Sequence, residues 1–257
     1  MCELFGISSK EKVLCNPYLK EFFSHGTEHP HGWGIAQFFG QRVSLEKEPV
    51  CSLKSGYLKE RLTDEIRTDL LLAHIRLATK GGLEYKNTHP FVQTDRSGRT
   101  WTLEHNGTVF ESEELSPYIH KQAGTTDSER ILYYLIDRLD AGIKKKGGEL
   151  SGEERFQILD EVVQTITPEN KINLIICDGE ILYVHTNYQK SLHIMEAEDT
   201  VMFSTQPLLQ DEWEPLPLNT LLAYKDGEKL YEGTRHENEF LDSEEKMRFL
   251  FLDFAGM

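Results

Sequence analysis

Short apolar runs dominate both ends of the chain, and one long amphipathic stripe occupies its middle. Residues 2–8 read as a short apolar strand, and 33–39 and 43–49 flank Gly40-Gln41 as a hairpin. Strands are also predicted over 70–77, 100–105, 193–195 and 201–204. Residues 172–177 and 181–185 flank Asp178-Gly179, and 220–224 and 229–231 flank Asp226-Gly227. Asp-Gly between apolar runs predicts a type I′ hairpin turn, which needs positive φ.

The stripe consists of Ile131, Leu132, Leu135, Ile136 and Leu139, at the spacing of one helix face. It predicts a helix over 128–143, opened by Thr126-Asp127-Ser128-Glu129. A second helix is predicted over 153–166 and closed by Pro168, with 144–152 as the loop between the two. No repeat or linker divides the chain, so 1–257 is expected to be one domain. Strands at both ends and helices in the middle predict an α+β fold with antiparallel sheets rather than alternating βαβ units. Two stacked sheets flanked by helices suit that order.

Composition narrows the class. Of 257 residues, 39% are hydrophobic and 28% charged, which is the balance of a globular domain. No apolar run reaches the length of a membrane span, and no basic, apolar leader precedes Leu4. A net charge of −15 opposes binding to nucleic acid. The acidic run over 239–245 reads as a solvated face. No partnership with nucleic acid or membrane is expected, and the expected location is the cytoplasm. Cys2, Cys15, Cys51 and Cys177 form no Cys-x-x-Cys pair and are expected to be free thiols, with Cys177 in the core.

Cys2 differs from the other three by position. Removal of Met1 would leave it with a thiol and a free α-amine. The amine titrates near ~8 and the thiol near ~8.5, so the amine can take the thiol proton. Arg76 ends an apolar strand in the run 74–81, where a planar fork at the strand end could grip a carboxylate; a plain surface Arg is the alternative. Asn106-Gly107 offers a side-chain amide and an unobstructed backbone N–H, the parts of an oxyanion hole, or else a strand-ending turn. Residues 125–129 are strong cap formers that could also present a carboxylate to a substrate ammonium. The loop 25–34 holds His25, His29, His31 and Glu28, but no helix-spaced His pair completes a known site, so no metal is expected.

Met-Cys-Glu-Leu-Phe-Gly-Ile at the start is followed by His-Gly-Trp-Gly-Ile-Ala, His-Ile-Arg-Leu-Ala-Thr-Lys-Gly, Asn-Thr-His-Pro-Phe, His-Asn-Gly and Thr-Asp-Ser-Glu. This ordered series, spanning Cys2 to Glu129, resembles the class II glutamine amidotransferases of the N-terminal-nucleophile superfamily. Its nearest likeness is the free-standing YafJ-like branch, which also resembles the ergothioneine-pathway γ-glutamyl hydrolases. The resemblance implies a four-layer αββα sandwich with Cys2 as nucleophile. It implies Asn106 and Gly107 as the oxyanion hole, Arg76 on the substrate α-carboxylate, Thr79 in the pocket wall and Asp127 on the α-ammonium. It implies no cofactor. Leu77 and Lys80 stand where larger synthases of the class usually have Trp and His, and His31 stands where the YafJ-like branch usually has Asp. The implied reaction is hydrolysis of the glutamine side-chain amide, with an ammonia-accepting synthetase as an unidentified partner. A hydrolase of larger γ-glutamyl amides and a non-enzymatic glutamine-binding or scaffold protein are the alternatives.

Overall fold

A computed structural model describes residues 2–79, 81–110 and 112–243. The first half contains β1 (Glu3–Leu14), α1 (Asn16–Ser24), β2 (Trp33–Phe39), β3 (Arg42–Glu48), α2 (Gly56–Arg61), β4 (Arg67–Ile75), β5 (Phe91–Thr94) and β6 (Thr100–His105). Two helices follow, α3 (Asp127–Lys146) and α4 (Gly152–Ile166). The last third is strands: β7 (Asn173–Cys177), β8 (Leu182–Thr186), β9 (His193–Ala197), β10 (Thr200–Ser204), β11 (Glu214–Pro215), β12 (Leu222–Lys225) and β13 (Glu228–Glu232).

The strands form two antiparallel sheets, ordered β11-β9-β10-β1-β4-β2-β3 and β13-β12-β8-β7-β6-β5. Alternation along each strand decides which layer a side chain enters. In β1, Phe5 and Ile7 face Leu19, Phe22 and Phe23 of α1 and Leu58 of α2, whereas Leu4 faces the other sheet. In β7, Ile175 and Cys177 face the first sheet, whereas Leu174 and Ile176 pack with Leu132, Leu135 and Leu139 of α3 and Leu159 and Val163 of α4. The layers therefore run helix, sheet, sheet, helix, the four-layer αββα sandwich the sequence series implies. Both faces of the central strands are buried, so these strands read as apolar runs.

The helices begin and end where their chemistry directs. Thr126 caps α3 by accepting the amide hydrogen of Glu129 at 3.3 Å. Lys144, Lys145 and Lys146 lie in its last turn, favourable to the carbonyl end, and Gly147 closes it at φ 76. Ser151 and Glu154 form a capping box on α4.

Three expectations change. The predicted first strand is longer, ending at Leu14. α1, α2, β5 and β11 were not predicted, because elements of two to nine residues give little periodicity; α1 opens on Asn16-Pro17 and α2 is capped by Ser55, which accepts the amide hydrogen of Leu58. The two Asp-Gly turns also differ. Asp226 and Gly227 both have positive φ, 53 and 81, as a type I′ turn requires. At Asp178-Gly179 only the glycine does. Asp178 is instead buried, accepting from Glu180 N, Ile181 N, Arg155 Nε and the Tyr183 hydroxyl, and those bonds set a longer connection. Among the described residues, no helix is long and apolar enough to cross a membrane.

Candidate active site

Cys2 immediately precedes β1 and has the parity of Leu4, so its side chain is directed to the space between the sheets. It is half-buried, and its thiol donates to the Leu77 carbonyl at 3.5 Å. Burial pushes the thiol up; Arg76 opposes this and Asp127 reinforces it. A thiol so placed needs a base to become a nucleophile.

Around it lies a narrow cavity of about 20 Å³. Arg76, Thr79, Gly107 and Asp127 line it together with Cys2. Four separate segments meet here: the start of β1, the end of β4, the turn after β6 and the first residue of α3. Thr126, Ser128, His89 and His105 also line it, with Leu77 and Ala78. Asn106 is buried beside it without lining it.

Arg76 does not emerge at the surface. It is 2% exposed, and its guanidinium donates to the carbonyls of Gly82 at 2.9 Å and Gly81 at 3.0 Å. β4 carries it inward, and the loop that follows folds back over its fork. Asp127 is also committed: Oδ2 accepts from Val109 N at 2.7 Å and Oδ1 from Ser128 N at 3.0 Å. The helix cap and the cavity wall are thus the same short stretch, with Thr126 capping and Asp127 facing inward.

Backbone geometry fixes the Asn106-Gly107 turn. Asn106 N donates to the Asn173 carbonyl at 2.9 Å, and Asn173 Nδ2 donates back to the Asn106 carbonyl at 2.6 Å. Gly107 passes so close to Lys171 that a Cβ would overlap the Lys171 carbonyl oxygen. The Asn106 Oδ1 is buried with no hydrogen-bond partner.

The histidine loop serves the nucleophile's surroundings. His25 Nδ1 lies 2.8 Å from the buried carboxylate of Glu3, and His29 Nδ1 lies 3.0 Å from the His25 carbonyl. His31 Nδ1 accepts from Ala78 N at 2.9 Å, while its own amide donates to the Arg76 carbonyl at 3.0 Å. Burial and the Arg76 charge hold His31 below its usual range, in the neutral form this acceptor role requires. Among the described residues, no group of three or more His, Cys, Asp or Glu is arranged to hold a metal ion.

Several wall residues had no role in the sequence reading. His105 bridges Ser128 Oγ at 3.0 Å and the Lys171 carbonyl at 3.2 Å. His89 stacks on His74 with ring centroids 4.2 Å apart. Their signal was present in the Asn-Thr-His-Pro-Phe and His-Asn-Gly motifs, but a motif does not say which ring meets which wall. The expectations for Met1 and Lys80, and the part of the acidic run over 244–245, lie outside the described residues.

Residues 1–198 match the family model described as glutamine amidotransferases class II. The chain is 30% identical over 263 residues to an uncharacterised protein of Methanocaldococcus jannaschii, covering 91% of this chain and 72% of that one. It is 29% identical over 196 residues to YafJ of Escherichia coli, covering 75% of each. Its fold is similar to the crystal structure of a predicted glutamine amidotransferase from Pseudomonas aeruginosa, with a TM-score of 0.63, 21% identity and coverage of 90% of this chain and 100% of that one. It is also similar to the glutamine phosphoribosylpyrophosphate amidotransferase of Bacillus subtilis, with a TM-score of 0.66, 16% identity and coverage of 93% of this chain and 50% of that one. The chain belongs to the class II glutamine amidotransferases.

Proposed function

We propose that this protein hydrolyses the side-chain amide of glutamine through a γ-glutamyl thioester on Cys2. One observation carries the reading: a thiol, a guanidinium, a carboxylate and a glycine amide from four distant segments line one cavity. These are the groups that an acyl transfer on a free amino acid requires.

Removal of Met1 supplies the base. The α-amine of Cys2 takes the thiol proton, and sulfur attacks the amide carbon. The Asn106 side-chain amide and the Gly107 N–H receive the oxyanion. Ammonia leaves with the proton held by the amine. Water then adds to the thioester carbon, the C–S bond breaks, and glutamate is released. Arg76 holds the α-carboxylate, which replaces the Gly81 and Gly82 carbonyls on its fork. Asp127 meets the α-ammonium, and Thr79 lines the pocket. An ammonia-accepting synthetase is the expected partner, and the steps above call on no metal or organic cofactor.

A second reading, hydrolysis of a larger γ-glutamyl amide, draws on the space next door. An open cavity of about 550 Å³ begins at Val109, the residue whose amide is bonded to Asp127. Sites of about 300–1,000 Å³ hold small ligands.

The test is a labelling experiment on protein whose Cys2 terminus is verified by intact mass. A glutamine-analogue electrophile is expected to add one equivalent at Cys2, and glutamine to release glutamate and ammonia. A verified sample that takes no label at Cys2 would overturn the reading. Faster turnover of a γ-glutamyl anilide than of glutamine selects the second reading.

A further inference from the structure

We propose that His89 binds and orients the water that releases glutamate from the Cys2 thioester. The inference rests on the thioester reading above and assigns a residue to its second half.

The walls of the nucleophile cavity contain six polar side chains that are at least nine-tenths buried: Arg76, His89, His105, Thr126, Asp127 and Ser128. Five are occupied. Arg76 donates to two loop carbonyls, and Asp127 accepts from Val109 N and Ser128 N. Thr126 Oγ1 accepts from Glu129 N. His105 and Ser128 are paired with each other, and the second nitrogen of His105 meets the Lys171 carbonyl. His89 is different: neither Nδ1 nor Nε2 has a partner. A buried polar group without a partner calls for an explanation, and a water or a functional role is the usual one.

The ring is held in place. It stacks on His74 at 4.2 Å with 19° between planes, and meets the Phe91 ring edge-on at 4.5 Å. Gly34 allows this approach, because a Cβ there would overlap the His89 carbonyl. The ring lines the cavity, and in its neutral form it has one N–H donor and one lone pair uncommitted. A water can pair with either one, and the lone pair is the site that accepts from it. Other groups have their own duties in the proposed reaction: Arg76 and Asp127 hold the ends of the amino acid, and Gly107 with Asn106, which sits beside the cavity, holds the oxyanion.

Burial also keeps His89 well below the usual histidine range. It therefore stays neutral and accepts a hydrogen bond from the water without removing its proton. The balance of the step is simple. The water oxygen bonds to the thioester carbon, one water proton passes to the α-amine, the C–S bond breaks, and sulfur takes the proton back. The products are glutamate and the Cys2 thiol.

Rapid-mixing with glutamine, followed by acid quench and intact-mass analysis, separates the two halves. His89→Phe keeps an aromatic ring against His74 and Phe91 but offers no hydrogen bond. The first-turnover release of ammonia is expected to stay within about twofold of wild type, while thioester decay slows about tenfold, as loss of one hydrogen bond implies. The γ-glutamyl enzyme then accumulates. His89→Gln, which keeps a donor and an acceptor, is expected to restore decay with an unchanged pH profile. If His89→Phe does not fold by circular dichroism, His89→Met removes the same bonds and is read the same way. Decay that is unchanged, or slowed only in proportion to ammonia release, overturns the proposal. A wild-type enzyme that forms no thioester removes both this proposal and the reading beneath it.

Discussion

His31 Nδ1 accepts the amide hydrogen of Ala78 at 2.9 Å, across 47 residues of sequence. The bond ties the loop before β2 to the segment after β4 that carries Arg76, Leu77 and Thr79. Since Nδ1 is the acceptor, the ring proton belongs on Nε2.

His31→Ala leaves the buried Ala78 amide without a partner, which costs about 1–3 kcal/mol. Weaker substrate binding and a lowered urea midpoint are expected together. His31→Asp retains an acceptor and should recover most of both. Equal losses in the two variants would show that the bond does not matter. The pH dependence follows from the sign of the shift. The folded-state value lies below the ordinary one, so the contribution is complete above about 6.5, the ordinary histidine value, and disappears as pH falls through the folded value. Activity should therefore have an acid limb that His31→Asp displaces.

Cys2→Ala is expected to abolish turnover and leave the melting temperature nearly unchanged. The thiol has one weak bond, to the Leu77 carbonyl, and contributes little packing. Residual wild-type ammonia release from this variant would reject the nucleophile assignment.

Asn106→Ala should lower kcat by roughly 10²–10³ with little change in KM, because an oxyanion donor acts on charge that develops in the transition state. The backbone pairing with Asn173 does not depend on the Asn106 side chain, so the turn should persist. Steady-state kinetics decide it, and an unchanged kcat takes Asn106 out of the site.

Asp127→Asn has a structural cost as well as a binding cost. Both carboxylate oxygens accept from backbone amides, so a side-chain NH₂ would face an N–H donor. A raised KM for glutamine and a lower melting temperature should appear together. A raised KM with full stability would mean that the Val109 contact is dispensable.

Glu104 lies wholly buried on β6 with neither carboxylate oxygen partnered, and burial pushes its carboxyl well above the usual range. A raised folded value favours the native state below the unfolded value near 4.5 and loses that benefit as pH rises through the folded one. Glu104→Gln removes the loss. Its urea midpoint should exceed that of wild type at pH 8 by more than at pH 4. A difference independent of pH would contradict the assignment.

Much of this molecule is written locally. The stripe from Ile131 to Leu139 and the cap at Thr126 specify α3 without outside help, and the Asp226-Gly227 turn follows from two residues that tolerate positive φ. The order of six short motifs was enough to pick out Cys2, Arg76, Thr79, Asn106, Gly107 and Asp127 as candidates. Periodicity, however, reports only whether a side chain is directed inward. It cannot say what lies opposite. That Arg76 is folded beneath the Gly81 and Gly82 carbonyls, that Asn173 holds Asn106, and that His89 lines the cavity with both nitrogens uncommitted depend on how two sheets pack face to face. The same limit explains Asp178-Gly179, where the predicted hairpin forms but bonds to Arg155 and Tyr183 replace the type I′ turn with a longer connection. Local sequence fixes strand parity and helix caps through short-range sterics and hydrogen bonding. Partners such as His31 and Ala78, or Asn106 and Asn173, are chosen by the packing of distant segments, which no local pattern encodes.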